Sequence, residues 1–219
     1  MIKSFFPLLL IPAGLVTAQE LKPVALPAPQ TSGGLPLMQA LKARKSGREF
    51  ASEALSRQML ANLLWAAWGI NREDGRRTAP SSSNRQEMDI YVLMADGAYV
   101  WDARANELKP VVRSDLRKAA GTPQQAYVGD APVVLVYVAD TAKMSGGDEN
   151  SKFATANADT GFISQNVYLF CASEGLATVV RGSVPRDELG KALSLRPGQR
   201  ITLDQPVGYE KKPAPGGKE

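Results

Sequence analysis

Arg44-Lys45-Ser46-Gly47-Arg48-Glu49-Phe50 and, further along the chain, Pro80-Ser81-Ser82-Ser83-Asn84-Arg85-Gln86 are the stretches whose reading decides the fold. The first sets Arg44, Lys45 and Arg48 around the hydroxyl of Ser46. The second gathers the hydroxyls of Ser81, Ser82 and Ser83 with the amides of Asn84 and Gln86. Phosphate recognition needs cations and hydrogen-bond donors that converge. By itself the first run reads as a solvated basic turn, because short basic runs are common. The second by itself reads as a polar loop before a strand. Together they read as two halves of a site for a phosphorylated, planar, hydrogen-bonding cofactor.

Outward from these stretches the chain alternates helices and strands. Residues 35–45 suit a short helix, with apolar side chains at 35, 37, 38 and 41. Ser56 is an N-cap candidate for a second helix. Its apolar positions Met59, Leu60, Leu63, Leu64 and Ala67 keep helical spacing, and Gly69 stops it. Trp65 and Trp68 on that helix read as core or interface packing. Residues 88–95 predict a strand, Asp96-Gly97 a hairpin turn, and 98–102 the returning strand. A short helix is expected over 113–120 and a loop over 121–130. The continuous apolar run 131–139 predicts a strand buried on both faces. The longest helix is expected over 153–175, ending on Gly175. A strand over 177–182, a helix over 185–193 opened by Pro185, and a strand over 201–209 follow. This order implies an α+β fold, a mainly antiparallel sheet with helices packed on it.

The two ends are expected to lie outside that domain. Lys3, the apolar stretch 5–16 and the small residues Val16-Thr17-Ala18 have the pattern of a secretory signal peptide cleaved after Ala18. The expected address is therefore periplasmic or secreted. Residues 19–34, Pro-rich and then Gly33-Gly34, read as an extended N-terminal arm. A single domain follows over 35–211, and 212–219 reads as a disordered tail.

Composition excludes several chemistries. The 219 residues contain no histidine and one cysteine. A Ser-His-Asp triad, a Cys-His pair and a His-ligated metal are all ruled out. No metal-ligating set is expected. Cys171 lies in the apolar run Val167-Tyr168-Leu169-Phe170-Cys171-Ala172 and reads as a small buried side chain. Any redox chemistry must come from a bound cofactor. The net charge of +4 is spread along the chain, with no dense basic block for nucleic acid.

The two opening stretches resemble the motifs of the FMN-dependent nitroreductase family. The first is similar to its Arg-Arg-Ser-x-Arg-x-Phe motif, with Lys45 in place of the second Arg. The second is similar to Pro-Ser-Ser-x-Asn-x-Gln, with Glu87 and Met88 where Pro-Trp is common. Leu64-Trp65-Ala66-Ala67-Trp68-Gly69-Ile70-Asn71 and Arg77-Thr78-Ala79-Pro80-Ser81 also resemble the SagB-type dehydrogenase branch. Gly161 to Gly175, with Gln165-Asn166, is similar to the family's long central helix. Pro206-Val207-Gly208-Tyr209-Glu210-Lys211 looks like its closing strand, with Glu210 where Pro is usual.

The resemblance implies FMN as cofactor and an obligate homodimer with the long helix at its interface. It implies that Arg44 and Ser46 hold the phosphate and ribityl chain, assisted by Lys45. Arg48 would face the pyrimidine edge, with Gln165 lining the site and Lys211 on the phosphate. Val180, Arg181 and Gly182 fall where a backbone N–H meets flavin N5. Pro80, Ser81, Ser82 and Asn84 would reach the cofactor of the other subunit. The expected activity is an oxidoreductase passing hydride through N5 to a small-molecule substrate by a ping-pong scheme. The competing expectation is a secreted binding or structural domain of the same fold without flavin chemistry.

Overall fold

The computed structural model describes residues 21–212. The expected signal peptide over 1–18 and all of the expected tail but residue 212 lie outside the described residues. The sheet has seven strands: β1 (Val24–Ala25), β2 (Met88–Met94), β3 (Gly97–Asp102), β4 (Glu107–Val112), β5 (Val133–Asp140), β6 (Leu176–Thr178) and β7 (Gln199–Tyr209). Their spatial order is β1-β4-β3-β2-β5-β7-β6, and every pairing is antiparallel. The helices are α1 (Leu37–Ala43), α2 (Arg57–Trp68), α3 (Arg117–Ala120), α4 (Glu149–Glu174) and α5 (Arg186–Ala192). The expected α+β class is the observed one.

Burial follows the strand period of two. On β5, Val133, Leu135, Tyr137 and Ala139 enter one core, with Leu60, Leu63 and Leu64 of α2 and Ile163 and Val167 of α4. Val134, Val136 and Val138 enter the other, with Ala120 of α3 and Leu189 of α5. Every residue of β5 is buried, so its unbroken apolar run needs no polar face.

The caps account for where the helices begin and end. Ser56 Oγ accepts the Met59 N–H at 3.1 Å and starts α2. Asp148 Oδ1 accepts the Ser151 N–H at 2.7 Å, so α4 starts at Glu149, four residues ahead of the expected 153. Gly175 closes α4 at φ 69°, the left-handed conformation that glycine adopts at no steric cost.

Four expectations are corrected. Residues 107–112 form a strand that the sequence reading omits, because Pro110 argues against one. Among the described residues its outer edge is covered only by β1, and a register shift opposite Ala98/Tyr99 lies beside Pro110, where a missing N–H is tolerated. The 19–34 segment, from Leu21 on, belongs to the sheet at Val24–Ala25 and to the core at Leu26. The 121–130 loop contains 3-10 turns within Pro123–Asp130, interrupted at Gln125, whose φ of -131° and ψ of 43° are not helical. The strand expected over 177–182 ends at Thr178, and residues 179–182 continue irregularly except for one bridge, Arg181 to Asp204.

Candidate functional site

The basic run leaves α1 at Arg44 and crosses the sheet edge. Gly47 N–H donates to Thr178 O at 2.9 Å, and Lys211 N–H donates to Glu49 O at 3.2 Å. Phe50 bridges Glu210 and enters the core. Gly47 has a packing reason. A Cβ there would meet the Ala177 Cβ at 3.0 Å, so the run lies tight against β6.

Tyr168 of α4 collects this edge. Its Oη lies 2.9 Å from Ser46 Oγ and accepts the Val180 N–H at 3.0 Å. Its ring lies 5.2 Å below the Arg44 guanidinium, a cation–π distance. Three segments implied by resemblance therefore meet on one side chain. In the 180–182 stretch, Arg181 N–H is used by Asp204 O at 2.8 Å, which leaves the Gly182 N–H free among the described residues.

The Arg181 side chain turns away from the site. It is buried, and its Nη1 lies 2.7 Å from Asp204 Oδ2 and 2.9 Å from Oδ1. Gln125 Oε1 and the carbonyls of Ala120 and Ser183 take its remaining donors. Burial raises the Asp204 carboxyl, and the guanidinium opposes that rise.

Lys45 pairs with Glu210 at 2.6 Å, both well exposed. Such a pair contributes little, so Lys45 stays available to an anion. Arg44, Arg48 and Lys211 have no ion pair among the described residues. Arg48 and Lys211 line a cavity of about 980 Å³ whose wall also carries Glu49, Glu53 and Glu210. Gln165 is exposed on α4, nearly three turns before Gly175.

The second stretch is anchored elsewhere. Ser82 N–H donates to Asp159 Oδ2 at 2.9 Å, and Gln86 N–H donates to Ser81 Oγ at 3.0 Å. Asn84 Oδ1 accepts from Gln86 Nε2 at 3.1 Å, while Arg77 holds Gln86 Oε1 at 2.8 Å. Ser83, Asn84 and Gln86 all have φ between 50° and 55°. Three non-glycine residues in the left-handed region mark a strained loop held by its surroundings. Pro80 is exposed at its start.

Asp159 and Tyr168 are nine residues apart on α4, about 13 Å along its axis. No hydrogen bond or ion pair joins the 80–86 loop to the 44–50 run among the described residues.

Under the loop sits Glu87, fully buried, with neither carboxyl oxygen meeting a donor. Asp159 is the neighbouring acid. Desolvation first, and Asp159 after it, push the Glu87 carboxyl up to about 7.

The sequence reading did not assign Tyr168 or Asp159 a role. Both had a signal. The buried stripe of α4 is Ala156, Asp159, Thr160, Ile163, Ser164, Val167, Tyr168 and Cys171. An acid and a tyrosine on that stripe must each find polar company.

The donor set fits a phosphorylated flavin. Unpaired cations, an exposed hydroxyl and a free backbone N–H lie along one edge, and the run is pressed against the sheet at Gly47.

Residues 41–209 match the family model described as "Nitroreductase family". A crystal structure of a nitroreductase-named protein from Ralstonia eutropha superposes with a TM-score of 0.83 and 34% identity. That match covers 97% of this chain and 98% of the other. A curated nitroreductase-named protein of Methanocaldococcus jannaschii is 28% identical over 173 residues, 75% of this chain and 86% of that protein. A nitroreductase family structure from Clostridium novyi shares the fold at TM-score 0.60 and 20% identity, covering 81% of this chain and 86% of the other.

Proposed function

The chain belongs to the nitroreductase family, and from that premise we propose that it is an FMN-dependent oxidoreductase acting as a homodimer outside the cytoplasm. One observation carries the reading: Arg44, Ser46 and Val180 gather on Tyr168, with the unpaired Arg48 and Lys211 nearby.

When bound, FMN would supply hydride transfer through N5, the chemistry of a ping-pong scheme between small-molecule substrates. The chain binds and orients. Arg44, Ser46 and Lys211 hold the phosphate and ribityl oxygens, with Lys45 released from Glu210 to assist. Arg48 would lie toward the pyrimidine edge, where a cation would raise the flavin potential. The free Gly182 N–H is the donor offered at N5 by the 180–182 stretch. Gln165 lines the open side.

The dimer rests on two further facts. Leu37, Met38 and Leu41 of α1 and Phe162 of α4 are exposed, Met38 at 74% and Phe162 at 48%. A face of that kind on packed helices calls for a partner. The distance between the loop and the run along α4 suits a site completed by Pro80, Ser81, Ser82 and Asn84 of a second copy.

Export rests on Lys3 and the apolar run after it. Nicotinamide donors are not abundant outside the cytoplasm, which favours a dehydrogenase or oxidase acting on a local substrate. The Lys45–Glu210 pair and the carboxylates Glu49 and Glu53 on the cavity wall favour the second reading, a binding domain that has lost flavin chemistry. The test is the visible spectrum of the mature protein after FMN addition. A flavin band that stays with it through gel filtration supports the enzyme; a colourless protein supports the binding domain.

A further inference from the structure

We propose that Tyr168 is a positioning residue of the flavin site, whose hydroxyl turns the Ser46 proton outward to the cofactor and ties the Ser46 run to the 180–182 stretch. The inference rests on the FMN reading above.

The direction of the hydrogen bonds follows from counting protons. A backbone N–H can only donate, so Tyr168 Oη accepts from Val180 at 3.0 Å. The hydroxyl has one proton of its own and lies 2.9 Å from Ser46 Oγ. No other acceptor for that proton is present among the described residues, and Tyr168 is only 8% exposed. Donation from Tyr168 to Ser46 satisfies it. Donation in the reverse sense would leave the phenolic proton with no protein acceptor among the described residues, the less favourable arrangement at this part-buried contact. Ser46 therefore accepts from Tyr168, and its own proton points to the exposed side. The chain runs from Val180 N–H to Tyr168 to Ser46 to a ligand oxygen, each bond polarising the next.

The ring has a separate task. The Arg44 guanidinium stands 5.2 Å from its centroid. That contact holds a flexible cation over the same edge and lowers the entropy lost when it meets a phosphate. Removing the hydroxyl leaves it in place, so the two roles separate experimentally.

The experiment measures the FMN dissociation constant of the full chain by flavin fluorescence, for wild type, Tyr168→Phe, Ser46→Ala and the double variant. Tyr168→Phe should weaken binding about tenfold, the scale of one lost hydrogen bond to a charged or polarised partner. Ser46→Ala should weaken it similarly, and the double variant should be little worse than either single one, because the hydroxyl acts through Ser46. Additive losses overturn the proposal, and so does an unchanged dissociation constant in Tyr168→Phe. A Tyr168→Phe chain that does not fold assigns the hydroxyl to the fold and overturns it as well. Wild type that binds no FMN overturns the functional reading itself, a result distinct from these.

Discussion

Glu87 is the residue with the plainest physical consequence. A buried carboxyl without a donor favours its protonated form. Its ordinary value is 4.5, and the fold pushes it up to about 7. The folded state then binds the proton more tightly than the unfolded state. Stability from this group is full below about 4.5, falls as pH rises, and levels off above about 7. Glu87→Gln keeps the shape of the neutral acid and cannot ionise. It should raise stability by roughly 1–3 kcal/mol at pH 8 and leave it near wild type at pH 4.5. Urea denaturation of both proteins across that range measures the difference. The comparison removes the share of Asp204, whose carboxyl is also raised. An equal pH slope in the two proteins would show that Glu87 is not the group responsible. Because the chain has no histidine, no imidazole obscures this titration.

Among the elements, α4 carries the most. Its buried stripe faces the sheet, Asp159 holds the Pro-Ser-Ser loop, and Tyr168 holds the basic run. Its start depends on Asp148, whose carboxylate caps the Ser151 N–H, and burying no charge lets that cap act in full solvent. Asp148→Ala should lower the thermal unfolding midpoint by a small step without altering FMN affinity, because the cap is several turns from Tyr168. A loss of FMN affinity equal to that of Tyr168→Phe would show that the helix start and the site are coupled.

The same scale shows what the sequence made legible. Ser56, Gly69, Gly175 and the unbroken run of β5 are local signals, and the structure places α2, the end of α4 and the central strand where they point. β4 was hidden by Pro110, whose acceptability depends on lying at a thinly covered edge, a tertiary fact. The cap at Asp148 opens a polar first turn, Glu149 to Lys152, so the apolar pattern of the helix begins only at Phe153. In the site, Arg44 and Ser46 were legible as residue types. Their common partner Tyr168 was not, since it comes from a helix more than a hundred residues away in the chain.

At the scale of the whole molecule, the exposed apolar residues of α1 are the face on which we propose that a second copy docks. Leu37 and Met38 are among the most exposed large apolar side chains of the described residues. Met38→Asp places a charge on a face that we expect to be dry in the homodimer. Self-association should weaken at least tenfold, and sedimentation velocity should show a slower species that no longer keeps flavin. A variant that sediments like wild type and retains FMN would place the interface on another face.

The loop and the run are moored to different turns of α4, at Asp159 and at Tyr168. In a dimer built across that helix, every subunit lends one half-site and borrows the other. Two crippled chains could then rescue each other. A copy damaged only at Arg44 and Arg48, mixed with a copy damaged only at Ser82 and Asn84, would form hybrids holding one intact cofactor site and one doubly broken site. Flavin returning on mixing two colourless proteins is a genetic complementation carried out in a cuvette, and it needs no knowledge of the substrate.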